Sequence, residues 1–266
     1  MFNYIDIHSH LYFKDFDFDR EEVIARMKNA DIATISIGTC LQTSRQSVGL
    51  AHIHSNIFAC VGMHPGDVVD AVVPPEIDEL ALDPKVVAIG ECGFDYFRIG
   101  ENGEEIKKSQ KKVFEHQIEL ALKVEKPLML HCRSSKGSQD AYHDTLEILE
   151  SYYKEQGGNL RGNAHFFAGD IGVLKRFLDI GFTVSFTGVI TFTHDYDDAV
   201  RYAPLESLHA ETDAPFVAPV PHRGGRNSPE YVPHVVSALA RIKEEDEEIV
   251  KKTLISNARR LFALPL

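Results

Sequence analysis

The feature that most constrains this chain is an alternation. Short apolar, β-branched runs recur along its whole length, each followed by a polar turn and a stretch with helical spacing. Strand-like runs stand at 4–8, 33–38, 57–63, 86–91, 127–131, 163–167, 182–188 and 208–212, with helical patterns at 20–30, 104–124, 141–153, 171–179, 231–242 and 247–261. Such alternation places helices around a parallel sheet, and eight units predict a closed TIM (β/α)8 barrel in a single domain over 1–266. The alternative is an open doubly wound sheet. That sheet calls for a glycine-rich turn after its first strand, and Asp6-Ile7-His8-Ser9-His10 contains no glycine.

Composition narrows the functional classes. At 44% hydrophobic and 26% charged, the chain can bury a sizeable core, which excludes a disordered or collagen-like protein. No run approaches the length of a membrane span, and Met-Phe-Asn-Tyr-Ile-Asp lacks the pattern of a signal peptide; the expectation is a soluble cytoplasmic protein, monomeric or a small homo-oligomer, with no membrane partner. The four cysteines, Cys40, Cys60, Cys92 and Cys132, form no C-x-x-C pair, against a disulfide framework or zinc knuckle. A net charge of −12 repels polyanions, so a nucleic-acid partner has to be held by local positive charge.

Where the first strand ends, His8-Ser9-His10 puts two imidazoles on the same side of an extended chain, spaced to chelate one metal ion. Among 13 histidines, on the order of one such H-x-H is expected by chance. His52-Ile53-His54 is an internal control: it has the same spacing, but in a helical stretch, where positions two apart diverge. What distinguishes the first pair is company. Glu91 ends Val-Val-Ala-Ile-Gly-Glu, His131 ends Pro-Leu-Met-Leu-His, His165 lies in Asn-Ala-His-Phe-Phe, and Asp213 follows Leu-His-Ala-Glu-Thr. Buried ionisable groups cost several kcal/mol unless paired or metal-bound, and in a barrel these strand ends converge on the face where active sites are built.

Histidines mixed with two carboxylates suit zinc, manganese or, with waters completing the shell, magnesium. Six donors exceed one tetrahedral ion. A carboxylate, Glu91 or Asp213, could bridge two divalent metals, an arrangement suited to hydrolysis. Cys92 and Cys132 each follow a candidate ligand, and strand alternation turns both thiols to the opposite face as packing residues. Candidate substrate contacts are His64 in Gly-Met-His-Pro, Arg133 two residues after His131, and Arg223, which with Arg226 sits in His-Arg-Gly-Gly-Arg-Asn just beyond Asp213. Lys107, Lys108, Lys111 and Lys112 follow Glu104 and Glu105 and read as a solvated helix face.

Ile-Asp-Ile-His-Ser-His at 5–10, Gly-Met-His-Pro at 62–65, Ala-Ile-Gly-Glu-Cys-Gly-Phe-Asp-Tyr at 88–96, Pro-Leu-Met-Leu-His-Cys-Arg at 127–133, His-Phe-Phe-Ala-Gly at 165–169, Glu-Thr-Asp-Ala-Pro at 211–215, Arg-Gly-Gly-Arg-Asn at 223–227 and Asn-Ala-Arg-Arg-Leu-Phe at 257–262 together resemble the TatD family of metal-dependent deoxyribonucleases. The resemblance covers nearly the whole chain. It implies a TIM-barrel metallohydrolase with His8, His10, Glu91, His131, His165 and Asp213 as ligands: Glu91 bridging, His8, His10 and Asp213 on one ion, His131 and His165 on the other. Two departures from the family pattern border the expected substrate cleft: the segment 134–140 is longer than usual, and Phe97 stands where a second tyrosine is common.

The leading expectation is therefore a deoxyribonuclease working from the 3′ end of DNA with two divalent ions, magnesium as the working metal and zinc or manganese as alternatives. Asp213 and Glu91 are the catalytic candidates, Asp213 orienting or deprotonating the attacking water. Related proteins also include deacylases acting on D-aminoacyl-tRNA, which makes tRNA an alternative partner, and a non-catalytic metal-binding scaffold is the third reading.

Overall fold

The computed structural model describes residues 2–68, 71–97, 99 and 103–264. The strands are β1 (Tyr4–Ser9), β2 (Ile32–Ile37), β3 (Ile57–Val61), β4 (Val86–Asp95), β5 (Leu128–Arg133), β6 (Gly162–Ala164), β7 (Thr183–Phe186) and β8 (Leu208–Ala210), all parallel and paired in chain order. Ser9 bridges Ala214, with the Asp213 amide donating to the His8 carbonyl at 2.9 Å and the His10 amide to Ala214 at 2.8 Å, and so the sheet closes on itself. The described helices are α1 (Arg20–Asn29), α2 (Leu41–Ile53), α3 (Pro75–Leu80), α4 (Gly103–Lys123), α5 (Asp140–Gln156), α6 (Ile171–Asp179), α7 (Asp197–Tyr202), α8 (Val232–Lys243) and α9 (Glu247–Phe262). This is the TIM barrel that the alternation predicts. No helix among the described residues is long and apolar enough to cross a membrane.

Alternation builds two cores. On β2, Ser36 turns outward to the Ser47 hydroxyl of α2 at 3.0 Å, while Ala33, Ile35 and Ile37 turn inward. They fill the barrel with Ile5, Ile7, Phe58 and Met129, and Leu261 and Phe262 of α9 plug its lower end. The larger core lies between sheet and helices. On α4, Val113, Phe114, Ile118 and Ala121 repeat at three- and four-residue spacing and bury one stripe against Ile89 and Phe94 of β4.

Two of the strands that carry site residues are interrupted where those residues stand. On β1, Asp6 pairs with Thr34 but Ser9 with Ser36, so three steps on β1 face two on β2. The extra residue is a β-bulge. With Ile5 and Ile7 inside, strict alternation would turn His8 out to the helices; the bulge reverses the facing beyond Ile7 and brings His8 and His10 inside. On β4, Gly90 pairs with Met129 and Cys92 with Leu130, a second bulge that holds Glu91. Gly90 has φ +148° and packs so closely on β5 that a Cβ there would overlap the Met129 carbonyl oxygen.

Strand lengths differ from the sequence reading for local reasons. β4 runs four residues past Glu91 to Asp95, because it continues to pair with β5 through Arg133. β6 stops at Ala164 instead of 167: Phe166 adopts φ +43° and its amide donates to Glu211 Oε1 at 2.6 Å, leaving the ladder. β8 stops at Ala210, because the Thr212 amide donates to the Asp6 carboxylate at 2.9 Å rather than to a neighbouring strand.

Gly90→Ala is expected to lower stability by about 3 kcal/mol or more, since it combines a left-handed φ with overlap against β5. Gly49→Ala, on the exposed side of α2 with open space around it, is expected to gain up to about 1 kcal/mol. Thermal melting of the two variants beside the parent checks both; equal melting temperatures for parent and Gly90→Ala would contradict the packing described at β4.

Candidate metal centre

All six residues singled out as ligands from the sequence meet at the carboxyl ends of the strands, around the Glu91 carboxylate. Its two oxygens face two different groups. Oε1 lies 2.7 Å from His131 Nδ1, 2.8 Å from His165 Nε2 and 3.7 Å from His64 Nε2. Oε2 lies 3.4 Å from His8 Nε2 and 3.9 Å from His10 Nε2. Asp213 Oδ1 completes the second group, 3.4 Å from His10 Nε2 and 3.7 Å from His8 Nε2. Asp213 itself has φ +53°, a left-handed conformation that aspartate tolerates better than most residues.

Three of the rings have a further polar group behind them, within hydrogen-bond distance for His10 and His131. His10 Nδ1 lies 3.1 Å from the Ile37 carbonyl and 3.2 Å from the Tyr12 hydroxyl, His131 Nε2 lies 3.2 Å from Asp95 Oδ2, and His165 Nδ1 lies 3.6 Å from Glu211 Oε1. Such partners behind a ring fix its tautomer and orientation for metal binding. His64 Nδ1 accepts from the Gly66 amide at 2.9 Å, which caps the turn and points Nε2 to His131 Nδ1 at 3.3 Å. Two glutamines of α4 hold this corner. Gln117 both accepts from the Met63 amide and donates to its carbonyl, and Gln110 does the same for Asp95.

The electrostatics follow from crowding charge into a dry space. Burial alone would raise the Glu91 carboxyl, but His165, His64, His8 and the His131 hydrogen bond outweigh it and hold it well below the usual range. Burial pulls His165 and His131 down; Glu91 and Glu211 override it for His165, and Asp95 and Glu91 for His131, so both end above an ordinary histidine. His64 is pushed down to about 4, by burial first and by His131 next, and stays neutral at physiological pH. Asp213, despite burial, is held low by His10 and His8 and stays ionised.

The donor set fits divalent cations. His8 is fully buried, yet neither of its ring nitrogens has a hydrogen-bond partner, and His165 Nδ1 is likewise unpartnered. A buried imidazole without a partner is costly unless a cation takes its lone pair. His8, His10 and Glu91 form one group with ligand atoms mutually within 4.8 Å; Glu91, His131 and His165 form another. The cluster floors an open cleft of about 670 Å³ whose lining includes Phe13 and Phe216 beside His10, Phe166, and Arg133 at the end of β5.

The remaining sequence expectations divide. His52 turns to Asp83 Oδ2 at 2.8 Å and His54 faces Glu21 at 3.5 Å, so that pair diverges. Cys92 packs into the outer core; Cys132 turns to Thr145 on α5 but also borders the cleft, and so is more than a packing residue. Arg226 is a correction: its guanidinium is held by both Asp19 oxygens at 2.7 and 2.6 Å and lies over Phe16, so it is tied into the fold rather than facing the cleft. Arg223 stands outside the cleft lining, over Phe192. The segment 134–140 is drawn together by Ser135, whose amide and hydroxyl both donate to Asp140. Asp95 and Glu211 went unnoticed in the sequence, although each shares strand parity with a recognised ligand, Asp95 with Glu91 and Glu211 with Asp213.

A family model described as TatD related DNase matches residues 5–263. The chain belongs to this TatD family. Curated relatives include the uncharacterized metal-dependent hydrolase YabD of Bacillus subtilis, 36% identical with 97% of this chain and 98% of that protein covered, and the uncharacterized metal-dependent hydrolase YcfH of Escherichia coli, 33% identical with 97% and 95% covered. Among solved structures, the TatD homologue YJJV of Escherichia coli superposes with a TM-score of 0.85 at 26% identity over 99% of both chains. An uncharacterized amidohydrolase of Saccharomyces cerevisiae, at 19% identity and a TM-score of 0.83 over 98% and 100% of the two chains, shares the fold. In this TatD chain the bulges on β1 and β4 are what carry His8, His10 and Glu91 into the barrel mouth.

His8→Ala is expected to lose bound divalent metal while keeping the fold, and His52→Ala, which removes only a surface ion pair, to keep it. Elemental analysis after metal loading decides: equal metal loss in both variants would contradict the assignment of the two H-x-H pairs.

Proposed function

We infer that this TatD-family chain is a divalent-metal-dependent hydrolase that cleaves phosphodiester bonds of DNA from the 3′ end. The observation that carries the reading is the division of the Glu91 oxygens between His131 and His165 on one side and His8, His10 and Asp213 on the other. That arrangement matches a carboxylate shared by two ions. His8, His10 and Asp213 would hold one and His131 and His165 the other, with magnesium as the working metal and manganese or zinc as substitutes. Bound there, the ions supply Lewis acidity toward a phosphoryl oxygen and lower the pKa of water.

The chain's own groups supply the rest. Asp213, ionised and at the edge of the cluster, orients the attacking water and accepts its proton. Glu91 holds the histidines on both sides in register and takes no proton, since its acidity is too strongly raised. Arg133 on the cleft wall meets the phosphate with charge that the net −12 surface lacks, and Arg223 extends that charge beyond the cleft. His64, neutral, contacts substrate by hydrogen bonding rather than as a cation. Phe13 and Phe216 supply apolar surface to the cleft beside His10.

The direct test is an end-labelled oligonucleotide incubated with metal-stripped protein restored with magnesium, manganese or zinc, beside a D-aminoacyl-tRNA ester. A metal-dependent ladder of single-nucleotide steps is expected. Ester cleavage with intact oligonucleotide would overturn the nuclease reading in favour of a deacylase.

Two further outcomes are expected. Because the folded pKa values of His131 and His165 are raised, these rings hold protons that a cation must displace, so metal loading near neutral pH should release protons and tighten as pH rises. Calorimetry in buffers of different ionisation enthalpy reads the release; a heat independent of buffer would contradict it. Asp213→Asn keeps the shape but removes the proton acceptor, so turnover should fall at least ~10²-fold while oligonucleotide binding stays within a few-fold. Near-parental turnover would exclude Asp213 from water activation.

A further inference from the structure

Among the exposed phenylalanines of the described residues, three follow β4, β7 and β8 on the catalytic face: Phe97 at 44%, Phe192 at 40% and Phe216 at 47%. Exposed rings around the mouth of a cleft offer flat apolar surface to a ligand. Two of them are paired with a cation. Arg133 Cζ lies 4.0 Å from the Phe97 ring centre, and Arg223 Cζ lies 3.7 Å from that of Phe192.

The two pairs stand on different sides of the barrel mouth. Phe97 follows β4 and Arg133, which lines the cleft, ends β5, whereas Phe192 follows β7 and Arg223 follows β8. The turn that carries Phe192 is fastened to the cleft wall: the Val220 amide donates to Thr191 Oγ1 at 2.9 Å, and a Cβ on Gly188 would lie only 2.6 Å from the carbonyl of Val217, a cleft-lining residue.

A guanidinium resting on a phenyl ring presents its second face and its N–H edges to a ligand. The face stacks on a nucleobase and the edges reach a phosphate, a combination that recurs where unpaired strands are held without regard to sequence. Paired bases keep their faces hidden inside a duplex. Resting on the nuclease reading above, we propose that Phe97–Arg133 and Phe192–Arg223 are two stacking subsites for unpaired nucleobases, one on each side of the bond positioned at Glu91 and Asp213. The occupant is the substrate strand itself: Arg133 lines the cleft, the turn of Phe192 is tied to Val217 of its lining, and both subsites bring cations to a chain whose net charge of −12 otherwise repels a polyanion. The strand then crosses the cleft with its backbone over the ligand cluster and its bases turned out to the two arginine-covered rings.

The test compares thymidine oligomers, stabilised by phosphorothioate linkages, with oligomers of the same length whose sugars carry no base, binding each to metal-loaded full-length protein by fluorescence anisotropy. The parent should prefer the base-bearing strand by about ten-fold or more. Phe97→Leu and Phe192→Leu, exposed and apolar replacements that cannot stack, should each lose most of that preference while binding to the base-free strand and the salt dependence stay unchanged. Phe97→Tyr should retain the preference. Arg223→Ala should weaken binding of both strands and flatten the salt dependence. Parental preference in both leucine variants, or no preference in the parent, overturns the proposal. Metal-dependent cleavage of the unmodified base-free oligomer reads the phosphodiesterase separately: if it persists while preference is missing, only the stacking subsites fall, and if no oligomer is ever cleaved, the nuclease reading falls and takes them with it.

Discussion

The structure depends on one buried carboxylate. Glu91 is 3% exposed and surrounded by imidazoles, an arrangement that is costly in a dry interior unless every charge has a counterpart. The counterparts come from separate places in the chain, His8 on the first strand and His10 just past it, His131 on the fifth, His165 just past the sixth and Asp213 after the eighth, so the cluster assembles only when the barrel closes. Closure and site are linked at the same atoms: the amides of His10 and Asp213 make the bonds that join β1 to the last strand's extension.

Much of this was legible in the sequence. Eight βα units specify a barrel, and ionisable residues at the ends of apolar strands have nowhere to converge except its carboxyl-terminal face. Less legible was the direction in which they point. Ile5 and Ile7 fill the barrel, and continuing their alternation would send His8 outward; nothing in Asp-Ile-His-Ser-His announces the extra residue on β1 that turns it back. Nor does Arg-Gly-Gly-Arg separate its two arginines. One is captured by Asp19, about two hundred residues earlier in the chain, and only the folded structure brings that carboxylate to it.

The supporting carboxylates were hidden for a different reason. Asp95 and Glu211 lie beside conspicuous neighbours, and their roles are defined by what they touch. Glu211 accepts from the Phe166 amide and the Ser185 hydroxyl at 2.6 and 2.7 Å, and in doing so it ends β6 and stands 3.6 Å from His165 Nδ1. Asp95 is reached because β4 outlasts its apolar run. At Glu211 the chain gives up regular pairing where the site needs a side chain, whereas at Asp95 it prolongs the pairing to place one.

The central claim is that divalent ions gather on both sides of Glu91. Anomalous X-ray scattering from crystals loaded with manganese tests it directly. Two manganese peaks are expected, each within coordination distance of a different Glu91 oxygen, one beside His8, His10 and Asp213 and the other beside His131 and His165. Manganese bound only at sites away from Glu91 would contradict it.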